Sequence, residues 1–154
     1  MTDGSFPNIE RLIPHRSPMR LIDRIVAAEE DAVTAEARID PSCAFATADQ
    51  RIPSYVGLEM MAQTISAYDG LRRFKRDLPP SVGFLLGCRK YVARQPYLAA
   101  GTVLTITGRM VFSDGDMASF DCIIRDENPA NFAEAALNVY NPADPEAFLR
   151  QDSR

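Results

Sequence analysis

The chain has 154 residues, 46% of them hydrophobic and 25% charged, a balance that fits one globular domain with a real core and excludes a disordered or fibrous chain. A net charge of −4 gives no global field for nucleic acid. No run reaches the roughly 18 uninterrupted apolar residues of a membrane span, and the first residues lack the basic-then-apolar pattern of a secretion signal. The expectation is a single cytoplasmic domain over residues 1–154, with a core at about 12–141, a polar tail at 142–154, and neither nucleic-acid nor membrane partners.

In chain order, the segment from Ser5 to Ile13 reads as a short helix: Ser5 can cap, Pro7 suits the first turn, and Ile9, Leu12 and Ile13 share a face before Pro14 stops it. Met19–Val26 and Ala32–Ile39 alternate partially and flank the polar Glu29-Glu30-Asp31, a hairpin pattern. Asp40 to Ile52 has no sustained period and reads as a loop. Pro53-Ser54 opens the strongest helical stretch, which runs to about Lys75. In its first half Val56, Leu58, Met60, Met61 and Ile65 leave almost no polar face, so that half is expected to be buried on most sides. Four strand-like runs follow, at Val82–Val92, Thr102–Phe112, Met117–Arg125 and Phe132–Tyr140, with turns at Ser113–Asp116 and Asp126–Pro129. Pro145–Arg150 can form a last helical turn in the tail. Two strands, one long helix and four more strands form an α+β pattern in which an antiparallel sheet wraps around a buried helix.

The residues that can carry chemistry are few. Cys43, Cys88 and Cys122 have no metal-site spacing and read as separate thiols, and the single histidine, His15, makes an all-protein zinc site untenable, so no metal is expected. Glu59 stands out because an ionised carboxylate in an apolar helix costs several kcal/mol unless it is partnered or used. Gln63 lies one turn later on the same face, Tyr55 one turn earlier and Ser66 two turns on, a polar line in an apolar helix. Gln63 can orient Glu59, contact substrate or satisfy neighbouring backbone. Gly57 can admit a ligand close to the helix start or serve tight packing.

Pro14-His15-Arg16-Ser17-Pro18-Met19-Arg20-Leu21-Ile22-Asp23-Arg24 and Gly57-Leu58-Glu59-Met60-Met61-Ala62-Gln63 resemble two blocks of the β-hydroxyacyl-carrier-protein dehydratases. The run Ile52-Pro53-Ser54-Tyr55-Val56-Gly57 and the later Gly83-Phe84-Leu85-Leu86-Gly87-Cys88-Arg89-Lys90-Tyr91 are most similar to the dehydratase-like subunits of aryl polyene synthesis. The resemblance covers about Leu12 to Tyr140. It implies a hotdog fold, a double-hotdog dimer and a site at the dimer interface, where a histidine of one subunit faces an acidic residue of the other. The reaction implied is loss of water from a 3-hydroxyacyl thioester on an acyl carrier protein, with no cofactor.

On that resemblance Glu59 is the catalytic carboxylate, and Gly57, Gln63 and Tyr55 are substrate-binding candidates. The family's histidine is absent, because its spacing falls on Phe45. His15 sits in a block that does not hold the catalytic histidine; it either fixes the start of the first strand or acts as a relocated base. Arg89, Lys90 and Arg94, with the cationic helix end Arg72, Arg73, Lys75 and Arg76, suit a basic rim for an acidic carrier protein, although the helix-end cluster also follows from the helix dipole. Three functions stay open: a dehydratase subunit completed by a histidine-bearing hotdog partner, a non-catalytic stabilising subunit, and an acyl thioesterase. Homodimer and heterodimer are both compatible with the sequence.

Overall fold

The computed structural model describes residues 6–128 and 132–151. After a three-residue 3-10 turn at Ile9–Arg11, strands β1 (Arg24–Ala28) and β2 (Ala32–Arg38) form a hairpin. A long loop leads through the short β3 (Ile52–Pro53) and a 3-10 turn at Ser54–Val56 into helix α1 (Gly57–Phe74). Strands β4 (Phe84–Ala93), β5 (Tyr97–Leu98), β6 (Val103–Asp114), β7 (Met117–Arg125) and β8 (Phe132–Tyr140) follow, and α2 (Pro145–Gln151) closes the described chain. The main sheet has the order β1-β2-β6-β7-β8-β4, antiparallel at every pairing, and β3 pairs separately with β5.

The sheet curves around α1, which packs on β6, β2 and β7. Small inward residues on β2, Ala35 and Ala37, are fully buried and let the helix lie close. Met61 and Ile65 on the helix meet a floor of Leu104, Ile106, Phe120, Ile124 and Leu137, each such side chain worth about 1.5–3 kcal/mol when removed from water. The tight β6–β7 turn pairs Asp114 with Met117 across Gly115, whose φ of +60° needs a residue without a Cβ.

The expected antiparallel sheet around one central helix is present, and the order and extents of the last four strands are close to those expected. Three local expectations differ. The helix expected over Ser5–Ile13 is only the 3-10 turn Ile9–Arg11, capped by the Asn8 side chain accepting from the Glu10 N–H at 3.0 Å; Ser5 lies outside the described residues. The first strand begins at Arg24 rather than Met19, because the Arg16 carbonyl accepts from the Met19 and Arg20 N–H groups and makes that segment a turn. The helix expected from Pro53 to Lys75 starts as a 3-10 turn, and its α-helical part has 18 residues, about 27 Å at 1.5 Å per residue. Part of the proposed turn at Asp126–Pro129 falls on residues outside those described.

The segment between the 3-10 turn and β1 is fastened to α1 by close contact. A Cβ at Gly70 would stand 1.9 Å from the Leu12 carbonyl oxygen, so only glycine allows the backbone of that segment to rest on the helix. The Arg16 guanidinium then gathers three carbonyls, donating to Ile13 at 2.9 Å, His15 at 2.8 Å and Glu10 at 2.8 Å. That anchoring fixes where His15 stands.

Candidate functional site

Glu59 lies in the first turn of α1, on the stripe of the helix that the sheet leaves open. The first half of the helix is enclosed on most sides, as expected, with none of residues 57–67 exposed; along the remaining stripe Glu59, Ala62, Ser66 and Asp69 border a cleft of about 490 Å³. The cleft runs between α1, the start of β4 and the β6–β7 hairpin.

Gln63 holds the carboxylate from behind. Fully buried, its amide donates to Glu59 Oε1 at 2.9 Å and to the Met19 carbonyl at 2.8 Å, while its oxygen accepts from the Leu21 N–H at 2.8 Å. Those three bonds fix which end of the amide is which, and they tie the N-terminal part of α1 to the segment before β1. Gln63 therefore meets two of the roles open to it in the sequence, orienting Glu59 and satisfying backbone. It is not among the residues bordering the cleft.

His15 comes to the same carboxylate from the other side. Its Nε2 is 3.7 Å from Glu59 Oε1, with side chains 30% and 39% exposed. That separation is longer than a hydrogen bond and becomes an ion pair only with a protonated ring. Its Nδ1 is buried and has no hydrogen-bond partner among the described residues. The neutral form carrying its proton on Nε2 directs that N–H towards Glu59 and leaves only a lone pair at the buried nitrogen.

The remaining candidates lie apart from Glu59. Gly57 is buried, and a Cβ there would stand 2.6 Å from the Tyr91 hydroxyl and 2.7 Å from Ile124 Cδ1; its glycine serves the close approach of β4 to the helix start. Tyr91 donates a hydrogen bond to the Ser54 carbonyl and so pins the turn that begins α1; burial pushes its phenol up to about 12. Nothing in the sequence pattern singled out Tyr91. Tyr55 is 70% exposed in the preceding 3-10 turn. Phe45 is partly buried against the core in the loop after β2. Arg89 and Lys90 are exposed on β4, an edge strand, and Arg94 is exposed just past its end.

The cleft also has a second polar end that the sequence reading did not assemble. Ser81 Oγ donates to Asp69 Oδ2 at 2.9 Å and lies 3.1 Å from Asn141 Oδ1, and all three residues border the cleft. Three separate parts of the chain meet there; the one signal in the sequence was that Asp69 continues the Glu59–Ser66 stripe of α1. Among the described residues no group of His, Cys, Asp and Glu is arranged to hold a metal, and no helix is long and apolar enough to cross a membrane.

A six-stranded antiparallel sheet wrapped on one helix, with a helix carboxylate facing a cleft, defines the hotdog fold of dehydratases and thioesterases. Residues 7–150 match the ApeP-like family, described as ApeP dehydratase, and the chain belongs to that family, the dehydratase-like subunits of aryl polyene synthesis. Among solved structures, the dehydratase heterocomplex ApeI:P from Xenorhabdus doucetiae is similar at 25% identity and a TM-score of 0.88, over 97% of this chain and 99% of that one. The E. coli PaaI protein from the phenylacetic acid degradation operon, 10% identical, has a TM-score of 0.61 over 78% of this chain and 79% of its own. A hypothetical thioesterase from Streptococcus pneumoniae solved with coenzyme A, 15% identical, has a TM-score of 0.57 over 77% of this chain and 86% of its own. These last two share the fold. No curated protein matches the chain.

Proposed function

We propose that this chain contributes the acid to a dehydratase that removes water from a 3-hydroxyacyl thioester on an acyl carrier protein, and that a second hotdog chain contributes the base. The observation that carries this reading is Glu59, held at the cleft by the buried Gln63 amide while Phe45 takes the position at which the family pattern has histidine. No described residue hydrogen-bonds Glu59 Oε2, which leaves that oxygen for substrate. In the reaction, a histidine of the partner takes the proton next to the thioester carbonyl. The C–O bond at the third carbon breaks as the double bond forms, and protonated Glu59 supplies the proton with which the hydroxyl leaves as water. The histidine's proton returns to the carboxylate for the next turnover. A positioned acid of this kind contributes about 10²–10⁴-fold to the rate.

Partnership is supported by β4, a sheet edge on which Leu85, Leu86 and Val92 are exposed, a pattern suited to pairing with another sheet. The similar Xenorhabdus structure is itself a heterocomplex. Arg89, Lys90 and Arg94, in the second half of that strand and just beyond, form a basic rim suited to the acidic surface of a carrier protein. Tyr55, exposed in the turn before α1, is kept as a contact for the thioester arm, whereas Gly57 serves the packing of β4 on the helix start. The site calls for no cofactor.

One observation favours a second reading, in which His15 is the base within the same chain: the Nε2 of this single histidine stands 3.7 Å from Glu59 Oε1. Mass spectrometry of a 3-hydroxyacyl carrier protein separates these readings. Loss of water only when a histidine-bearing hotdog partner is added, and its abolition by Glu59→Gln, is the expected result. Dehydration by the chain alone supports His15. A complex fully active with Glu59→Gln reduces this chain to a stabilising subunit, and release of the acyl group identifies a thioesterase.

A further inference from the structure

Helix α1 begins without the usual side-chain cap. Neither the 3-10 turn Ser54–Val56 nor α1 itself has a capping side chain bonded to its first N–H groups, although such a cap ordinarily fixes where a helix starts. Two ties from outside the helix replace it. The Ser54 N–H donates to the Pro96 carbonyl at 3.0 Å, and the Ser54 carbonyl accepts from the Tyr91 hydroxyl. The second tie orients the peptide group from which the helix departs. Gln63 bonds Glu59 Oε1, the Met19 carbonyl and the Leu21 N–H, none of which is backbone of the first turn, so the turn that carries Glu59 depends on Tyr91 to keep its end from fraying.

Tyr91 reaches that carbonyl because β4 is bulged. Arg89 pairs with Ala136 and Val92 with Glu134, so Lys90 and Tyr91 together stand opposite Ala135. Lys90 takes the left-handed conformation, with a φ of +53°, which a residue with a Cβ adopts only at a cost. The bulge leaves Arg89 and Val92 exposed and packs Tyr91 against the core; bulges beside active sites re-aim side chains in this way. Gly57 completes the fit, since a Cβ there would stand 2.6 Å from the Tyr91 hydroxyl and only glycine leaves room for the phenol on the first turn of α1. Burial pushes that phenol up to about 12, so at neutral pH it keeps its proton and remains a donor. A strained residue, a glycine and a half-buried hydroxyl thus converge on one contact, at the end of the helix that carries Glu59.

We propose that Tyr91 is a positioning residue of the dehydratase: its hydroxyl, acting through the Ser54 carbonyl, holds the first turn of α1 so that Glu59 stands where the departing hydroxyl needs its proton. This rests on the proposed role of Glu59 as the acid. Tyr91 touches no reacting atom. Its contribution is that the acid is in place before substrate arrives and needs no rearrangement to act.

The test uses the complex of this chain with a histidine-bearing hotdog partner in three forms: unsubstituted, with Tyr91→Phe, which keeps the ring, and with 4-aminophenylalanine at position 91, which restores a donor on the same ring. Steady-state dehydration of a 3-hydroxyacyl carrier protein is measured beside amide hydrogen exchange at Leu58, Glu59 and Met60, with Ala67 in the middle of α1 as the reference. Tyr91→Phe should speed exchange in the first turn and lower kcat, each about tenfold, the order of one net hydrogen bond. KM should stay within about twofold, because the contact serves the transition state rather than binding, and exchange at Ala67 should not change. The amino form should restore both kcat and exchange. An unaltered kcat, a fall in kcat accompanied by faster exchange at Ala67, or a loss that the amino form does not repair makes Tyr91 an ordinary structural contact and overturns the proposal. If the unsubstituted complex does not dehydrate at all, the dehydratase reading fails and the proposal with it; dehydration that Tyr91→Phe leaves intact overturns the proposal alone.

Discussion

The Gln63 amide donates to Glu59 Oε1 at 2.9 Å from a position with no solvent exposure. The same amide bonds the Met19 carbonyl and the Leu21 N–H, so one side chain sets both the carboxylate and the chain segment that carries His15. Replacing it with Gln63→Leu keeps the volume but orphans two backbone groups, at about 1–3 kcal/mol each. The expected outcome is a lower midpoint in urea unfolding, together with a fall in kcat larger than any change in KM. Unchanged stability would mean that the amide is dispensable.

His15→Gln removes the ring beside Glu59 and retains a polar side chain. With the base supplied by the partner chain, dehydration by the complex should stay within about tenfold of the unsubstituted rate, since only the setting of Glu59 is disturbed. A loss as deep as that of Glu59→Gln would place the base on this chain. Steady-state kinetics of the two variants side by side decides it.

Gly70→Ala puts a Cβ where the Leu12 carbonyl oxygen is 1.9 Å away. Backbone cannot rotate aside as a long side chain can, so a cost on the order of 3 kcal/mol is expected from overpacking. Circular dichroism melts should show it. Gly87→Ala is the control, because nothing lies within 4 Å of a Cβ there.

Burial raises the Cys122 thiol from 9.0 to about 12, and the Tyr91 phenol from 10.0 to about 12. Each group holds its proton in the folded chain at pH values where the unfolded chain has released it, so folding stability falls as pH rises from about 9 to 12 and is untouched by these groups below that window. Urea titrations at a series of alkaline pH values check the sign. Under native conditions Cys88, which is exposed, should react with a thiol reagent well before the buried Cys122; equal rates would contradict the described burial.

Leu86 is 50% exposed on the β4 edge. If that edge receives the second hotdog chain, Leu86→Lys should weaken association about tenfold or more, because a desolvated ammonium replaces an apolar contact. Analytical ultracentrifugation of the mixed chains measures this. An unaltered association constant would move the interface elsewhere.

How much of this was legible in the sequence depended on distance along the chain. Glu59 and Gln63 are four residues apart in a strongly periodic helix, so their shared face followed from helix geometry alone. The six-stranded sheet was legible from alternating runs bounded by Asp, Gly and Pro. The pair β3–β5 was not, since strands of two residues carry no period. The meeting of His15 with Glu59 spans 44 positions and depends on an irregular segment fixed by Arg16, Gln63 and Gly70, three contacts that leave no repeating signature. The Asp69–Ser81–Asn141 cluster was hidden for the same reason, as its members come from α1, the loop before β4 and the residue just after β8.

Phe45, packed against the core in its loop, sets the stoichiometry of the proposed enzyme. Two copies of this chain would pair two carboxylates with no base, so self-association would sequester protein without producing an active centre. Two copies of the partner would leave this chain idle. Activity in a mixture should therefore peak at equal amounts of the two chains and fall when either is in excess, with one working centre per pair. Supply of the scarcer chain, rather than total protein, would then set the flux through the step.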